Sequence, residues 1–324
     1  MNKLLLAIDV GGTKIEAVAV DIHGSSRGQV ISDTDNSGPE GLLESVEDAV
    51  YRVLQLSGAT TDDLAGVGLG VPGQVNRESG VVRLAVNLNL TSFPLAMALA
   101  GRLRTPVNVE NDVRLAALGL YHHLQQTQAL QSLAYVSVGT GVAAGIVSDG
   151  LLLRGANGMA GEIGHVVFDP QGERCSCGLH GCLEAIVSGP AISRQAAAWG
   201  EGSSLGYDGQ KLTAAGVYAA AGSGDEQAQR LVQKVSAHLA RALHWLVMSY
   251  DVEQVVVGGG VAAAGDAFWQ PIAAELAGMR RQSALAQSML PQDKIYLLNG
   301  DENPGIWGAT ILARQAAGSV HPVI

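Results

Sequence analysis

The three cysteines of this sequence lie in one short segment that follows a histidine. Cys175, Cys177 and Cys182 fall within eight residues, and His165 precedes the first of them by ten positions. Thiolate sulfur and imidazole nitrogen are preferred ligands of Zn2+, and four such ligands complete its tetrahedral shell. We therefore predict a structural zinc held by His165, Cys175, Cys177 and Cys182, because four protein ligands leave no position for a reacting water.

Two other interpretations of the cysteines stay open. A disulfide would leave one of the three thiols unpaired, and Cys175 and Cys177 are too close along the chain for an easy bridge. Three free thiols in a loop are the second alternative. Gly178 and Gly181 favour the metal, because glycine lets a chain turn tightly around an ion.

A glycine-containing turn between two apolar segments near the start of the chain has the features of a phosphate site. Residues 4–9 and 15–21 are predicted as the strands of a hairpin, and the turn contains Gly11, Gly12, Thr13 and Lys14. Backbone N–H groups and the threonine hydroxyl can bind phosphate there, while the Asp9 carboxylate can hold Mg2+. A plain hairpin turn explains the same glycines.

Later segments repeat this arrangement. Strands are predicted at residues 133–138 and 142–147, around a turn of Gly139, Thr140 and Gly141. This turn offers a second set of amides to a nucleotide, although an ordinary hairpin again explains it. A strand at residues 254–257 enters Gly258, Gly259 and Gly260, whose small size suits the packing of adenine or ribose against backbone.

The remaining pattern predicts alternating helices and strands. Helices are expected at residues 39–56, from Asp112 through Leu124, in a long run ending at Tyr250, from about Asp266, and at 305–315. Strands are expected at 64–71, 106–110 and 294–298. The Gly/Ser-rich residues 200–210 are expected to be mobile. Asn111 and Asp112 follow the strand at 106–110. In open α/β sheets, this carboxyl end of a strand is the usual position of a ligand site.

Length and charge narrow the class of protein. The 324 residues exceed the usual size of a single core, which predicts two domains. A net charge of −10 disfavours a nucleic-acid partner, which would need a basic surface. No apolar run approaches the length of a membrane span, and Asp9 interrupts the apolar start before a signal peptide could form. We therefore expect a cytoplasmic protein.

The ordered motifs resemble those of the ROK sugar kinases. The resemblance covers nearly the whole chain and rests on residues 9–14, Pro72-Gly73, 110–112, 139–141, 158–165, 175–184 and 257–260. It implies an α/β fold of two ribonuclease H-like lobes, of the sugar kinase, actin and Hsp70 superfold, around a central cleft. Residues 1–113 would form the small lobe, rejoined by a closing helix at about 304–317. Residues 114–303 would form the large lobe with the zinc segment 162–184. A homodimer is also implied.

The family's activity is transfer of the γ-phosphate of Mg-ATP to a hexose hydroxyl. Asp112 matches the catalytic base, and a helix N-cap is the alternative role for this residue. The residues that match the sugar-binding positions are Gly73, Asn87, Asn111, Asp112, Glu162, His165 and Glu184. His165 would bind zinc through one ring nitrogen and face a sugar hydroxyl with the other. Glu162 and Glu184 could instead be solvated loop charges.

The sugar is left open by the resemblance. The 6-hydroxyl of glucose is the default acceptor, and N-acetylmannosamine, N-acetylglucosamine, fructose and allose are rivals. Leu90 stands where the family often has tryptophan, and polyphosphate stays open as a donor. A family repressor would carry a basic recognition helix, which we do not find, and a sugar sensor without turnover would be expected to lose Asp9 or Asp112.

Overall fold

The computed structural model describes residues 3–199, 212–300 and 302–318, so the segment 200–210 that was expected to be mobile lies outside the described residues. Two compact units divide the chain. The first contains Met1–Ser132, Gly145–Ala160 and Asn303–Ile324, and the second contains Leu133–Ala144 and Gly161–Glu302. Among the described residues, no helix is both long enough and apolar enough to span a bilayer.

The elements up to residue 124 all belong to the first unit. They are β1 (Leu4–Val10), β2 (Lys14–Asp21), β3 (Ser26–Asp33), α1 (Pro39–Leu56), β4 (Leu64–Val71), β5 (Gln74–Asn76), β6 (Val81–Ala85), β7 (Leu90–Phe93), α2 (Leu95–Leu103), β8 (Val107–Asn111) and α3 (Asp112–Leu124). The sequence pattern did not reveal β3, whose side chains are mostly exposed, or the short strands β5 to β7. The helix at 39–56 and the strand at 64–71 are confirmed with their expected bounds.

The later elements include the expected strands and helices in order, together with one short strand and four helices that the sequence pattern did not predict. They are β9 (Ser132–Val138), β10 (Val142–Ser148), β11 (Leu151–Leu152), α4 (Leu183–Val187), α5 (Gly189–Ala197), α6 (Ala214–Gly222), α7 (Glu226–Tyr250), β12 (Gln254–Gly258), α8 (Asp266–Gln282), α9 (Ala284–Met289), β13 (Ile295–Leu297) and α10 (Pro304–Ala316). Their five-stranded sheet has the order β11-β10-β9-β12-β13. Helix α10 belongs to the first unit.

The main sheet of the first unit has the order β3-β2-β1-β4-β8, and its two faces are covered differently. Side chains alternate along a strand, so Leu4, Leu6 and Ile8 of β1 pack with α1 and α2 in the larger core. Leu5 and Ala7 point the other way and pack against α3 and α10. By the same alternation, Asp9 lies on the α3 and α10 face of the sheet.

The first unit extends beyond the boundary expected at residue 113. It includes all of α3 because this helix crosses α10 at very short range. A Cβ atom added to Gly119 would lie 2.3 Å from the Pro304 carbonyl oxygen, and one added to Gly308 would lie 2.0 Å from the Leu115 carbonyl oxygen. Glycine on both helices therefore permits the backbones to touch, and α3 packs with the sheet whose strand β8 leads into it.

Candidate active site

Acidic side chains gather at the carboxyl end of β1 in the first unit. Asp9 is the next-to-last residue of β1, and Glu16 lies directly opposite it in the antiparallel register with β2. Residues directly opposite in such a register project from the same face of the sheet. Burial, together with the negative charges of Asp112 and Glu16, raises the pKa of Asp9 from 3.8 to about 7. A cation would relieve this repulsion, which makes Asp9 a suitable ligand for Mg2+.

Asp112 is the first residue of α3, and hydrogen bonds hold its carboxylate. Its Oδ1 atom accepts a bond from the Asn111 side-chain amide at 2.9 Å and another from the Val113 backbone N–H at 2.9 Å. Burial raises the pKa of Asp112, whereas the Val113 N–H, the Arg114 charge and the Asn111 amide act in the opposite direction. The result is an oriented carboxylate that is partly withdrawn from water.

Asn111 caps α3 and also joins Asp112 to the Pro72-Gly73 turn. Its Oδ1 accepts a hydrogen bond from the Arg114 backbone N–H at 3.0 Å, which is the N-cap bond of the helix. Its Nδ2 donates to the Gly73 carbonyl at 3.1 Å. The N-cap role considered for Asp112 is therefore filled by Asn111. Gly73 has a φ of 95°, a conformation that favours glycine.

The first glycine turn is an ordered structure with several cross-links. The Gly11 N–H donates to the Lys14 carbonyl at 2.8 Å, and the Thr34 hydroxyl donates to the Gly11 carbonyl at 2.9 Å. Thr13 and Lys14 are exposed, so a nucleotide could reach them. Asn87 is also exposed and lies beside Gly12, since a Cβ atom on Gly12 would be 3.6 Å from the Asn87 Cβ.

In the second unit, the other glycine segments lie side by side. The turn at residues 139–141 is closed by a bond from the Gly139 N–H to the Gly141 carbonyl at 2.9 Å. The segment 258–260 adjoins it, because the Val261 N–H donates to the Val138 carbonyl at 2.9 Å. The Glu184 carboxylate accepts a bond from the Val142 N–H at 3.1 Å. Glu184, expected at the sugar, is thus bonded to the end of the expected phosphate turn.

The four predicted zinc ligands converge in the second unit. Ligand atoms of His165, Cys175, Cys177 and Cys182 all lie within 4.8 Å of one another. The Cys175 sulfur is 3.6 Å from the His165 Nδ1, and the Cys177 and Cys182 sulfurs are 3.6 Å apart. Tetrahedral Zn2+ with Zn–S bonds of about 2.3 Å requires sulfur separations of roughly 3.8 Å, so the residues fit the ion. A disulfide has an S–S length of about 2 Å, so none is formed here.

The electrostatics of the thiols also fit a cation. Burial, together with the neighbouring Cys177 and Cys175, raises the pKa of the Cys182 thiol to about 12. The Leu179 backbone N–H lowers the pKa of Cys177. Crowded sulfurs of this kind become thiolates readily only when a positive ion compensates their charge. Since Nδ1 of His165 faces the sulfurs, Nε2 is left as the ring nitrogen for another partner.

Two acidic residues of the first unit, Glu16 and Glu110, received no role from the sequence pattern, although Glu110 belongs to the motif at 110–112. Glu16 accepts a hydrogen bond from the Asn303 amide at 2.9 Å, and Glu110 accepts bonds from two arginines. The hairpin register of Asp9 could have revealed Glu16, because both belong to adjacent strands of one short hairpin. No spacing rule joins Glu16 to Asn303, since 287 residues separate them. Glu162 lies just before a short 3-10 turn, Ile163–His165, and its own role stays a prediction.

Comparisons with known proteins place these features in a family. The model of the ROK family matches residues 5–316. A glucokinase of Halalkalibacterium halodurans is 35% identical over 283 residues, with 84% of each chain covered. An N-acetylmannosamine kinase of Citrobacter koseri is 37% identical over 265 residues, which cover 80% of this chain and 84% of the relative.

A solved structure supports the same assignment. The ROK family glucokinase from Streptomyces griseus, in complex with glucose and AMPPNP, is 30% identical, with a TM-score of 0.77 over 96% of this chain and 99% of that one. The expected superfold of sugar kinases, actin and Hsp70 is therefore confirmed. From the family match over almost its full length, this chain belongs to the ROK family.

Proposed function

We propose that this protein is an ATP-dependent hexose kinase that transfers the γ-phosphate of Mg-ATP to a sugar hydroxyl, with the 6-hydroxyl of glucose as the first candidate. The observation that carries the proposal is the Asp112 carboxylate, which is oriented by Asn111 and Val113. It is close enough to Asp9 for its negative charge to raise the pKa of Asp9. Phosphoryl transfer requires a positioned base and a magnesium ligand, and these two residues have the chemistry for both roles.

In the proposed reaction, Asp112 accepts the proton of the sugar hydroxyl through Oδ2, because Oδ1 already accepts two hydrogen bonds. The sugar oxygen forms a bond to the γ-phosphorus, and the bond from that phosphorus to the β,γ-bridging oxygen breaks, which leaves ADP. The raised pKa of Asp112 strengthens it as a base, provided that it is ionised at the working pH.

The nucleotide is assigned to the two glycine turns and the triple glycine. The residues concerned are Gly11, Gly12, Thr13 and Lys14 in the first unit, and Gly139, Thr140, Gly141, Gly258, Gly259 and Gly260 in the second. Bound together with ATP, Mg2+ would neutralise phosphate charge, and Asp9 would hold it. Exposed backbone amides in tight turns suit phosphate oxygens, which supports the assignment.

The hexose is assigned to one glycine and several polar residues: Gly73, Asn87, Asn111 and Asp112 in the first unit, and Glu162, His165 and Glu184 in the second. Amide and carboxylate groups can bond adjacent hydroxyls and so reject analogues that lack them. Zinc, proposed at Cys175, Cys177, Cys182 and Nδ1 of His165, would supply no chemistry. By fixing the imidazole ring, this site would direct Nε2 of His165 to a sugar hydroxyl.

N-acetylmannosamine is the second candidate substrate, because relatives with that kinase name are as similar to this chain as a glucokinase is. Release of ADP from Mg-ATP against glucose, mannose, fructose, allose, glucosamine, N-acetylglucosamine and N-acetylmannosamine decides between them. One hexose should have the highest kcat/KM by a wide margin. A lack of turnover with every sugar, in protein that is folded and contains zinc, would contradict the kinase proposal. The homodimer and the cytoplasmic location stay predictions.

A further inference from the structure

A buried carboxylate, Glu110, lies among arginines in the first unit. Its Oε1 accepts a bond from Arg114 Nε at 3.3 Å and one from the Asn111 backbone N–H at 2.9 Å. Its Oε2 accepts a bond from Arg154 Nε at 2.8 Å. The side chains of Glu110 and Arg114 are only 1% and 2% exposed, so both charges depend on protein partners rather than on water.

A third guanidinium makes the surroundings of Glu110 strongly positive. Arg77 donates from Nη2 to the Gln315 side chain at 2.6 Å, and burial lowers the pKa of Arg77. The charge of Glu110 opposes that decrease, whereas the charge of Arg154 adds to it. Among the described residues, Arg77 Nη1 and Arg114 Nη2 are buried without a hydrogen-bond partner. A neutral residue at position 110 would leave these cations without compensation.

Arg114 and Arg154 also hold the loop 154–160, which we call the crossing loop because the chain leaves the first unit after Ala160. The Ala160 N–H donates to the Arg154 carbonyl at 3.0 Å, and Arg114 Nη1 reaches the Ala160 carbonyl at 3.5 Å. Gln74 donates to the Asn157 carbonyl at 2.7 Å. The two ends of the loop are therefore tied to each other and, through Arg154 and Arg114, to Glu110.

We propose that Glu110 is a positioning residue for the sugar: through Arg114 and Arg154 it fastens the crossing loop to the start of α3. Glu110 immediately precedes Asn111 and Asp112, and the crossing loop ends two residues before Glu162. Asn111, Asp112 and Glu162 are among the residues assigned to the hexose, so this inference rests on the proposed kinase function. When Glu110 or Arg154 is removed, the affinity for hexose should fall, while the nucleotide turns keep their own contacts.

Arg154→Met gives the first test, because Arg154 is 30% exposed and its loss should leave the fold intact. We expect the KM for the hexose to rise roughly tenfold, as for the loss of one charge-assisted hydrogen bond, and the KM for ATP to stay within about twofold. Backbone amides of residues 155–160 should exchange hydrogen faster. Arg154→Lys, which keeps the charge but not the guanidinium Nε donor, should recover part of the hexose affinity.

Glu110→Gln should act in the same direction and more strongly, because both arginines lose their counter-charge. If both residues act through one contact, adding Arg154→Met to Glu110→Gln should change the hexose KM little further. The matched control is Arg102→Met, which removes an arginine bonded to Glu40 and Glu47 in the same unit. It should alter neither the hexose KM nor exchange in the crossing loop.

The possible outcomes distinguish a failure of the positioning role of Glu110 from a failure of the proposed kinase function. Unchanged hexose KM and unchanged exchange in Arg154→Met would overturn the positioning role, and so would a lower melting temperature as its only effect. If Glu110→Gln does not fold, the comparison of Arg154→Met with Arg154→Lys and Arg102→Met still decides. A wild-type protein that turns over no hexose contradicts the kinase function. In that case, faster exchange of residues 155–160 in Arg154→Met would still support the attachment of the loop to Glu110.

Discussion

At the start of α3, Asn111 caps the helix, and the neighbouring Asp112 is the proposed base. Asn111 supplies the N-cap bond to Arg114 and the bond to Gly73, so the carboxylate of Asp112 is not used to close the helix. Both hydrogen bonds described above for the Asp112 carboxylate are accepted by its Oδ1 atom. An acid residue held in this way has the geometry of a general base.

Asp112→Asn should therefore remove most turnover while it keeps the sugar. The amide has nearly the same shape but cannot accept the proton, so kcat should fall by about 10²- to 10⁴-fold. Hexose binding, measured by calorimetry, should change by no more than about threefold, since only one hydrogen bond to the sugar is altered. Asp48→Asn, on the exposed side of α1, is the control and should behave as wild type. Normal turnover in Asp112→Asn would rule out its role as base.

The Cys177 side chain offers a test of the proposed zinc. Cys177→Ser replaces a thiolate ligand with a poor one, so zinc bound per chain, measured by mass spectrometry, should drop from about one towards zero. The hexose KM should rise by about 10- to 100-fold because His165 loses its orientation. Leu179→Ala changes an exposed side chain of the same loop and no ligand. Full zinc content in Cys177→Ser, or unchanged kinetics in verified zinc-free protein, would contradict the proposed site.

At the scale of elements, the crossing of α3 and α10 fixes the position of α3, the helix that begins with the proposed base. The close approach of the two helices depends on Gly119 and Gly308. A larger residue at either position should therefore lower the free energy of unfolding. Gly119→Ala would place a Cβ atom 2.3 Å from the Pro304 carbonyl oxygen and 2.4 Å from the Gly308 nitrogen. Both neighbours are backbone atoms, so relieving these contacts would require the helices to shift, which costs free energy.

We expect Gly119→Ala to lower the free energy of unfolding by about 3 kcal/mol, as measured in urea. Gly101→Ala is the matched control in the same unit, because it lies in α2 with no atom within 4 Å of the added Cβ. That substitution should stabilise the protein by roughly 0.5–1 kcal/mol, through helix propensity. Equal effects of the two substitutions would mean that α3 and α10 do not cross as closely as described.

For the molecule as a whole, stability should depend on pH through Asp9. Its pKa is raised from 3.8 to about 7 in the folded, metal-free protein, so the folded state keeps a proton that the unfolded chain has lost. The free energy of unfolding should therefore decrease as pH rises from about 4 to 7, by at most about 4 kcal/mol from this group. Urea unfolding at several pH values, compared with Asp9→Asn, isolates the effect. An identical pH slope in that variant would contradict the raised pKa.

Much of the site could be read from local sequence. The four residues of the proposed zinc site fall between residues 165 and 182, and the strands beside the first glycine turn pair with each other directly, so spacing alone predicted that each group would come together. The small sheet of β5 to β7 could not be predicted in the same way. Its strands are only three to five residues long, so an alternation of apolar and polar side chains is too short to be recognised.

The sequence by itself determined the chemistry: an Asn-Asp pair at a strand end, two glycine turns, and a set of sulfur and nitrogen ligands close enough in the chain to meet in any compact fold. Only the tertiary structure decided which distant residues support that chemistry. Glu110 and Arg154 are 44 residues apart, and Arg77 and Gln315 are 238 apart. No period or spacing relates such pairs, because their contact arises from strand order and from the packing of α10 on the sheet.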